Sequence, residues 1–228
     1  MHPGVEADFC GADLERATLR GVDFGNTERI RTNLSRARLG GADLTNADLS
    51  QSILIETQLS GANLSSASLR RADLIKTDLT GADLRRADLN RAYLEGTLLS
   101  GANVSRADFS RAMLKNTNLS DLDVETVIGL ESIKHYGPST IVIDTIYRSK
   151  GKIPNVFLRG CGVPEEFIAY IGSMVGRPIQ IEFAGGGTYE EEVHPMRRCN
   201  RSLNPGILGR FATCRRPHLR QSRGSSYI

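Results

Sequence analysis

From Ala7 to Val124 every fifth residue is apolar, with one exception, and the phase never slips. The centres start at Phe9, Leu14, Leu19 and Phe24, resume at Leu34, and run on to Leu114, Leu119 and Val124. Arg29 is the only polar centre among the 24. Two residues before each centre stands a small residue, Ala at 15 of the 24 places and Thr at six, so this position also reads as inward-facing. Asp or Asn is common just before the centre, as at Asp13, Asp43, Asn63, Asp83 and Asn103. The consensus is A-[D/N]-L-x-x.

A period of five excludes the ordinary elements. An amphipathic helix needs apolar spacing near 3.6, and a half-buried strand needs strict alternation. Here two inward positions alternate, two polar residues follow, and the pattern restarts. That is a three-residue strand and a corner. So short a unit cannot bury its inner face alone, so successive units must stack. A second period sets the stacking. Gly recurs at Gly21, Gly41, Gly61, Gly81 and Gly101, and Thr at Thr57, Thr77, Thr97 and Thr117, each 20 residues apart. Four pentapeptides therefore make one coil, and 24 make six. At about 4.8 Å between strands the rod would be roughly 29 Å long. Coil-to-coil hydrogen bonds must hold it as well as the narrow core.

This pattern resembles the pentapeptide-repeat proteins over about half of the chain. The resemblance implies a mainly β fold, a right-handed, four-sided parallel β-helix. Both the centre and the residue two before it point inward. A rigid carrier of surface side chains, with no interior site for a ligand, is the expected product.

Charge is unevenly placed along the 228 residues. Residues 7–124 hold 15 Lys/Arg and 16 Asp/Glu, a net of −1, whereas residues 125–228 hold 14 and 9, a net of +5. No apolar run approaches the roughly 20 residues of a membrane span, and no signal-peptide pattern opens the chain. The four cysteines form no CxxC, which fits a reduced, cytoplasmic setting. Residues 1–6 leave the first coil nearly uncapped, so another chain or further residues would have to cover that end. No catalytic, cofactor-binding or metal constellation is expected. The run Gly185–Gly187 lacks the Lys-Ser/Thr of a phosphate loop. His135 and Cys161 read as packing residues. His194, Cys199, Cys214 and His218 match no zinc-finger spacing.

Beyond the repeats, Val127, Ile128, Leu130 and Ile133 fit a short amphipathic turn closing the rod. Thr140–Tyr147 is rich in β-branched residues and reads as a strand, with helix as its rival. Pro164–Val175 reads as a helix, opened by Pro164, Glu165 and Glu166 and ended by Gly176. Its apolar face would be Phe167, Ile168, Ile171, Met174 and Val175. Asp144–Ile179 resembles the segment that joins pentapeptide repeats to a TIR domain in some bacterial signalling proteins. The aromatic strand and catalytic glutamate of that domain have no counterpart after it. Val193–Ile228 has eight Arg and no Asp or Glu. The domain expectation is a leader at 1–6, the β-helix at 7–124, a capping segment at 125–181, and a disordered or out-of-frame basic tail at 182–228.

The functional expectation is a non-enzymatic scaffold for a protein partner, the front part of a TIR-type signalling protein without its TIR domain. The alternative is a DNA mimic that engages gyrase, which needs a far more acidic rod. Two surfaces stand out. On the side assigned to Leu14, Leu34, Leu54, Leu74, Leu94 and Leu114, the outward places Ile53, Ile55, Ile75, Tyr93 and Met113 would form one apolar strip. The helix at 164–175 or a second copy, giving a homodimer, would cover it. Arg71, Arg91 and Arg111 form an outward column at 20-residue spacing, with Asp88 and Asp108 expected to neutralise it. Nucleic acid is expected at most weakly, through the Arg-rich tail.

Overall fold

The computed structural model describes residues 8–25, 31–174, 179–182 and 188–191. It falls into two units, residues 1–179 and 180–228. The first is a parallel β-helix closed at its C-terminal end by short helices. Its rungs follow one another at 20 residues: Asn33 pairs with Ile53, Ile53 with Asp73, Asp73 with Tyr93, and all are parallel. The best-formed rungs are β1 (Tyr93–Glu95), β2 (Met113–Lys115) and β3 (Lys134–His135), in that order in one sheet.

The consensus has a bond-by-bond explanation. Each centre donates its N–H to the coil ahead, as Leu54 does to the Asp73 carbonyl at 2.8 Å. The residue before it donates to the coil behind, as Asp73 does to the Ser52 carbonyl at 3.0 Å. A four-residue turn then closes the corner: Ala72 donates to the Leu69 carbonyl at 3.1 Å, with Arg71 between them at φ 55°. The Asp or Asn before the centre stabilises that corner. Asp88 Oδ1 accepts the Asn90 N–H at 2.9 Å, and Asn63 Oδ1 accepts the Ser65 N–H at 3.1 Å. This local bond offers backbone donors a partner that neither helix nor ladder supplies.

Inside, the leucine centres from Leu34 to Leu99 are at most 1 % exposed. Thr replaces Ala on one side because its hydroxyl has a job there. Thr57 Oγ1 donates to the Leu34 carbonyl (2.8 Å), Thr77 to Leu54 (2.6 Å) and Thr97 to Leu74 (2.8 Å). At the C-terminal end a gap of about 10 Å³ is lined by Val104, Phe109, Leu114, Leu119 and neighbours. Its lining is apolar and offers an ordered water no polar partners.

The first turn departs from the expected register. Asp8, Asp13, Thr18 and Asp23 pair 25 residues ahead, with Asn33, Arg38, Asp43 and Asp48. The turn that contains residues 26–30 is thus one pentapeptide longer than those that follow. A strict 20-residue advance would place the Arg29 position in the stack, where an unpaired charge costs several kcal/mol. The expected bulge at Gly25–Asn26, with Arg29 outside and Ile30 inside, lies outside the described residues. The consequence for the sides is a correction: Phe9 stacks with Leu34, and Leu14 stacks with Leu39 instead.

The C-terminal cap is built from a 3-10 turn at Leu130–Ser132 and three helices, α1 (Ile143–Arg148), α2 (Asn155–Gly160) and α3 (Glu165–Met174). Leu130 is buried as expected, while Ile128 stays 53 % exposed. The strand expected at Thr140–Tyr147 is instead largely α1. Tertiary contact overrides β propensity here. Thr145 Oγ1 donates to the Leu119 carbonyl (2.8 Å), the same kind of bond on the neighbouring side, and Ser149 Oγ accepts the Val124 N–H (3.0 Å). Helical spacing brings both hydroxyls onto the last coil's open backbone. Glu125 fastens the cap from outside through Lys150 and Lys152 at 2.8 and 2.5 Å, and these two hydrogen bonds pull its carboxyl down to about 2.

His135 sits at the joint between rod and cap. Its ring meets Phe157 edge-on at 5.4 Å, and a Cβ on Gly160 would come within 2.1 Å of it. Both ring nitrogens are buried without a hydrogen-bond partner, and burial lowers its pKa from 6.5. The folded state therefore disfavours the proton that the unfolded chain accepts near pH 6.5. The resulting stability is full above pH 6.5 and falls as pH drops below it. Scanning melts from pH 7.5 to 5 should show this acid component in the wild type. His135→Leu should lack it, because an apolar side chain leaves no nitrogen to titrate. Identical pH profiles would show that His135 does not control the joint.

Further along the chain, β4 (Ile179–Glu182) and β5 (Thr188–Glu191) form a two-stranded sheet. Irregular structure was expected from residue 182 onward. Glu182 and Thr188–Glu191 are strand, and residues 183–187 and 192–228 lie outside the described residues. The triglycine run and the His/Cys quartet fall among the latter.

Candidate interaction surfaces

The side centred on Leu34, Leu54, Leu74, Leu94 and Leu114 carries the candidate strip. Coil stacking makes two outward columns on it. The column before the centre reads Asn33, Ile53, Asp73, Tyr93, Met113 and Lys134. The column after it includes Ile55, Ile75, Glu95 and Lys115, of which the last two are register partners. Ile53, Ile55, Ile75, Tyr93 and Met113 are all half-buried. The expectation of one apolar strip is corrected here, because Asp73 and Glu95 interrupt it. Tyr93 Oη donates to Glu95 Oε2 at 2.5 Å, and Lys115 Nζ donates to Glu95 Oε1 at 2.7 Å. Those two donors hold the Glu95 carboxyl below its usual range and, in return, Glu95 raises the Tyr93 phenol. Asp73 differs. Its Oδ1 is buried without a partner between Ile53 and Tyr93.

The helix expected over the strip lies elsewhere. α3 packs on α2, and Phe167 lines a groove with Ile141, Ile143, Ile146 and Val163 at the capped end. Ile168 and Ile171 are buried as expected, but Phe167 and Tyr170 remain 38 % and 65 % exposed. Cys161 is buried nearby, and burial pushes its thiol up to about 12, so it stays protonated and unreactive.

Arg71, Arg91 and Arg111 stand at the corner that leads into the strip side. All three are exposed, at φ 55–59°. The expected neutralisation is not what the side chains do. Asp88 pairs with Arg70 at 2.9 Å instead, and Asp108 Oδ1 accepts the Ser110 N–H at 2.8 Å. Among the described residues the three corner arginines have no ion pair. The opposite edge of the strip side is paired: Arg36 and Lys76 reach Glu56 at 3.1 and 3.5 Å. A left-handed corner costs a residue with a Cβ about 1–2 kcal/mol. Arginine is thus a costly occupant.

A family model for pentapeptide repeats matches the chain with eight copies, over residues 5–28, 32–71, 52–91 and 87–125. The chain belongs to the pentapeptide-repeat family. Solved structures similar to this pentapeptide-repeat chain include a pentapeptide repeat protein, Rfr23, from the cyanobacterium Cyanothece 51142. It is 24 % identical over 60 % of this chain and 89 % of that one, with a TM-score of 0.35. A pentapeptide repeat protein of the Arabidopsis thaliana thylakoid lumen is 29 % identical over 46 % of this chain and 66 % of that one, at 0.32. HetL, involved in heterocyst differentiation regulation in the cyanobacterium Nostoc sp. strain PCC 7120, is 36 % identical over 51 % and 58 %, at 0.23. No curated protein matches the chain. Among the described residues, no helix is long and apolar enough to cross a membrane.

Proposed function

We propose that this pentapeptide-repeat chain is a non-enzymatic scaffold that docks a protein partner on the side of its β-helix centred on Leu74 and Leu94. The observation that carries the reading is Asp73. Buried polar atoms are almost always satisfied, yet Asp73 Oδ1 has no partner and is flanked by Ile53 and Tyr93. A partner that covers the side would bury Ile53 and Tyr93 on either side of this carboxylate, the pattern of a hot spot. The rod is right-handed, and the segment that follows residue 124 serves as its cap. A bacterial cytoplasmic setting and descent from a TIR-type signalling protein complete the reading, motivated by the segment at 144–179.

The test replaces Ile55, Ile75 and Tyr93 with Ser. The occupant is taken to be a protein, either a second copy or another chain. Mass by light scattering separates the two, with a pull-down for the second. Loss of association in the triple variant, with unchanged circular dichroism, is the expected result. Unaltered mass and unaltered capture would refute the strip as a docking side. A second reading, a gyrase-directed DNA mimic, draws on Asp48, Asp88 and Asp108 in one column. The unpaired arginines beside that column weigh against it, and a supercoiling assay decides.

A further inference from the structure

We propose that the two arginine corners, Arg71, Arg91 and Arg111 on one and Arg86 and Arg106 on the other, bind an acidic polypeptide lying along the rod. The proposal rests on the scaffold reading and names the chemistry of its partner. All five side chains are exposed, and none has an ion pair among the described residues. The side between the two corners also holds Arg70, so six arginines face three carboxylates, Asp48, Asp88 and Asp108.

Folding does not explain the arginines. The corner that carries Gly41, Gly61, Gly81 and Gly101 has φ 64–66°, nearly the same backbone as the arginine corners at 55–59°. Glycine accepts that conformation freely, and asparagine, found at Asn46 and Asn116 with φ 59° and 51°, accepts it better than most. Arginine accepts it poorly. Stacking like charges at about 5 Å adds repulsion. Strain and repulsion both oppose stability here, with no ion pair to offset them. What the corners gain is a row of forked donors held in register by a rigid frame. A guanidinium takes a carboxylate with two parallel hydrogen bonds, which a flexible lysine cannot match.

The column between the corners selects the partner. Asp48, Asp88 and Asp108 would repel the unbroken negative charge of a nucleic acid backbone. A polypeptide can leave polar or basic residues opposite them and set Asp or Glu over the arginines. Among the described residues, the aromatic centres of this side, Phe24 and Phe109, are buried and none faces outward to stack a base.

The experiment is arginine footprinting of the full chain with phenylglyoxal, read residue by residue by mass spectrometry, using short poly-L-glutamate as the probe. Modification of Arg71, Arg86, Arg91, Arg106 and Arg111 should slow about fivefold at a probe concentration of about four times Kd. Arg16 and Arg36 should change little, and salt should abolish the protection. In R71N/R91N/R111N, protection of Arg86 and Arg106 should disappear while Tm holds or rises. Uniform protection of all arginines, protection confined to residues 197–223, or stronger protection by duplex DNA would each overturn the proposal. A drop in Tm for the Asn variant would also overturn it, by making the arginines structural. The strip variant leaves this footprint unchanged, so the two tests fail separately.

Discussion

Gly129→Ala should unseat the C-terminal cap. Gly129 starts the 3-10 turn that carries Leu130 into the end of the core, at φ 81°. A Cβ there would lie 2.7 Å from the Ser110 backbone nitrogen and 2.6 Å from its Cα. Backbone cannot step aside as a side chain can, so either the last coil or the turn must shift. Left-handed strain of about 1–2 kcal/mol adds to overpacking of about 1–3 kcal/mol. The expected loss is roughly 2–5 kcal/mol, or on the order of 5–15 °C in Tm. Gly61→Ala is the control. It has φ 65° but nothing within 4 Å of the added carbon, so it should carry only the strain. Equal losses at both sites would mean that the contact with Ser110 is unimportant.

Leu74→Ala should divide the rod. Leu74 is fully buried between Leu54 and Leu94, and little around it can collapse inward. Removing its branched end is expected to cost about 2–5 kcal/mol. In a stack where each coil touches only its neighbours, the loss is local at first. Hydrogen exchange should therefore accelerate most at the Leu54, Leu74 and Leu94 amides and least at Leu39 and Leu119. Leu98→Ala, at a position 42 % exposed, should change melting by under about 0.5 kcal/mol. Uniform acceleration along the rod would instead mean that the coils unfold as one unit.

The rod was legible because its code is local. The five-residue period placed Leu and Ala inward, and the 20-residue Gly and Thr periods named the stacking partners, whereas the corner bond of the Asp or Asn before each centre emerged only from the structure. The first turn was misread because periodicity counts residues and not rungs. An unbroken phase through Arg29 hid a 25-residue advance, and so Leu14 was placed on the wrong side. The cap was partly legible. Pro164, Glu165 and Glu166 marked α3, while α1 was missed because Thr145 and Ser149 act through Leu119 and Val124, some 25 residues away. Asn155–Gly160 carried no sequence signal for α2 beyond Pro154 before it. For the surfaces, spacing found the arginine column but could not tell that Asp88 turns to Arg70. Nor did it reveal that Asp73, in the middle of the strip, is left without a partner.

The long first turn also decides where this chain tolerates changes in length. Each pentapeptide advances the chain by one side, so adding or deleting five residues after Leu39 would rotate everything upstream by a quarter turn relative to everything downstream. The arginine corners and the strip side would then no longer lie next to each other across that point. Within residues 26–30 the same edit leaves every rung paired as before, because Phe9 already sits under Leu34 with one unit to spare. Length variation there is silent in the pairing, whereas elsewhere only whole coils of 20 can be gained or lost without turning one half of the surface away from the other.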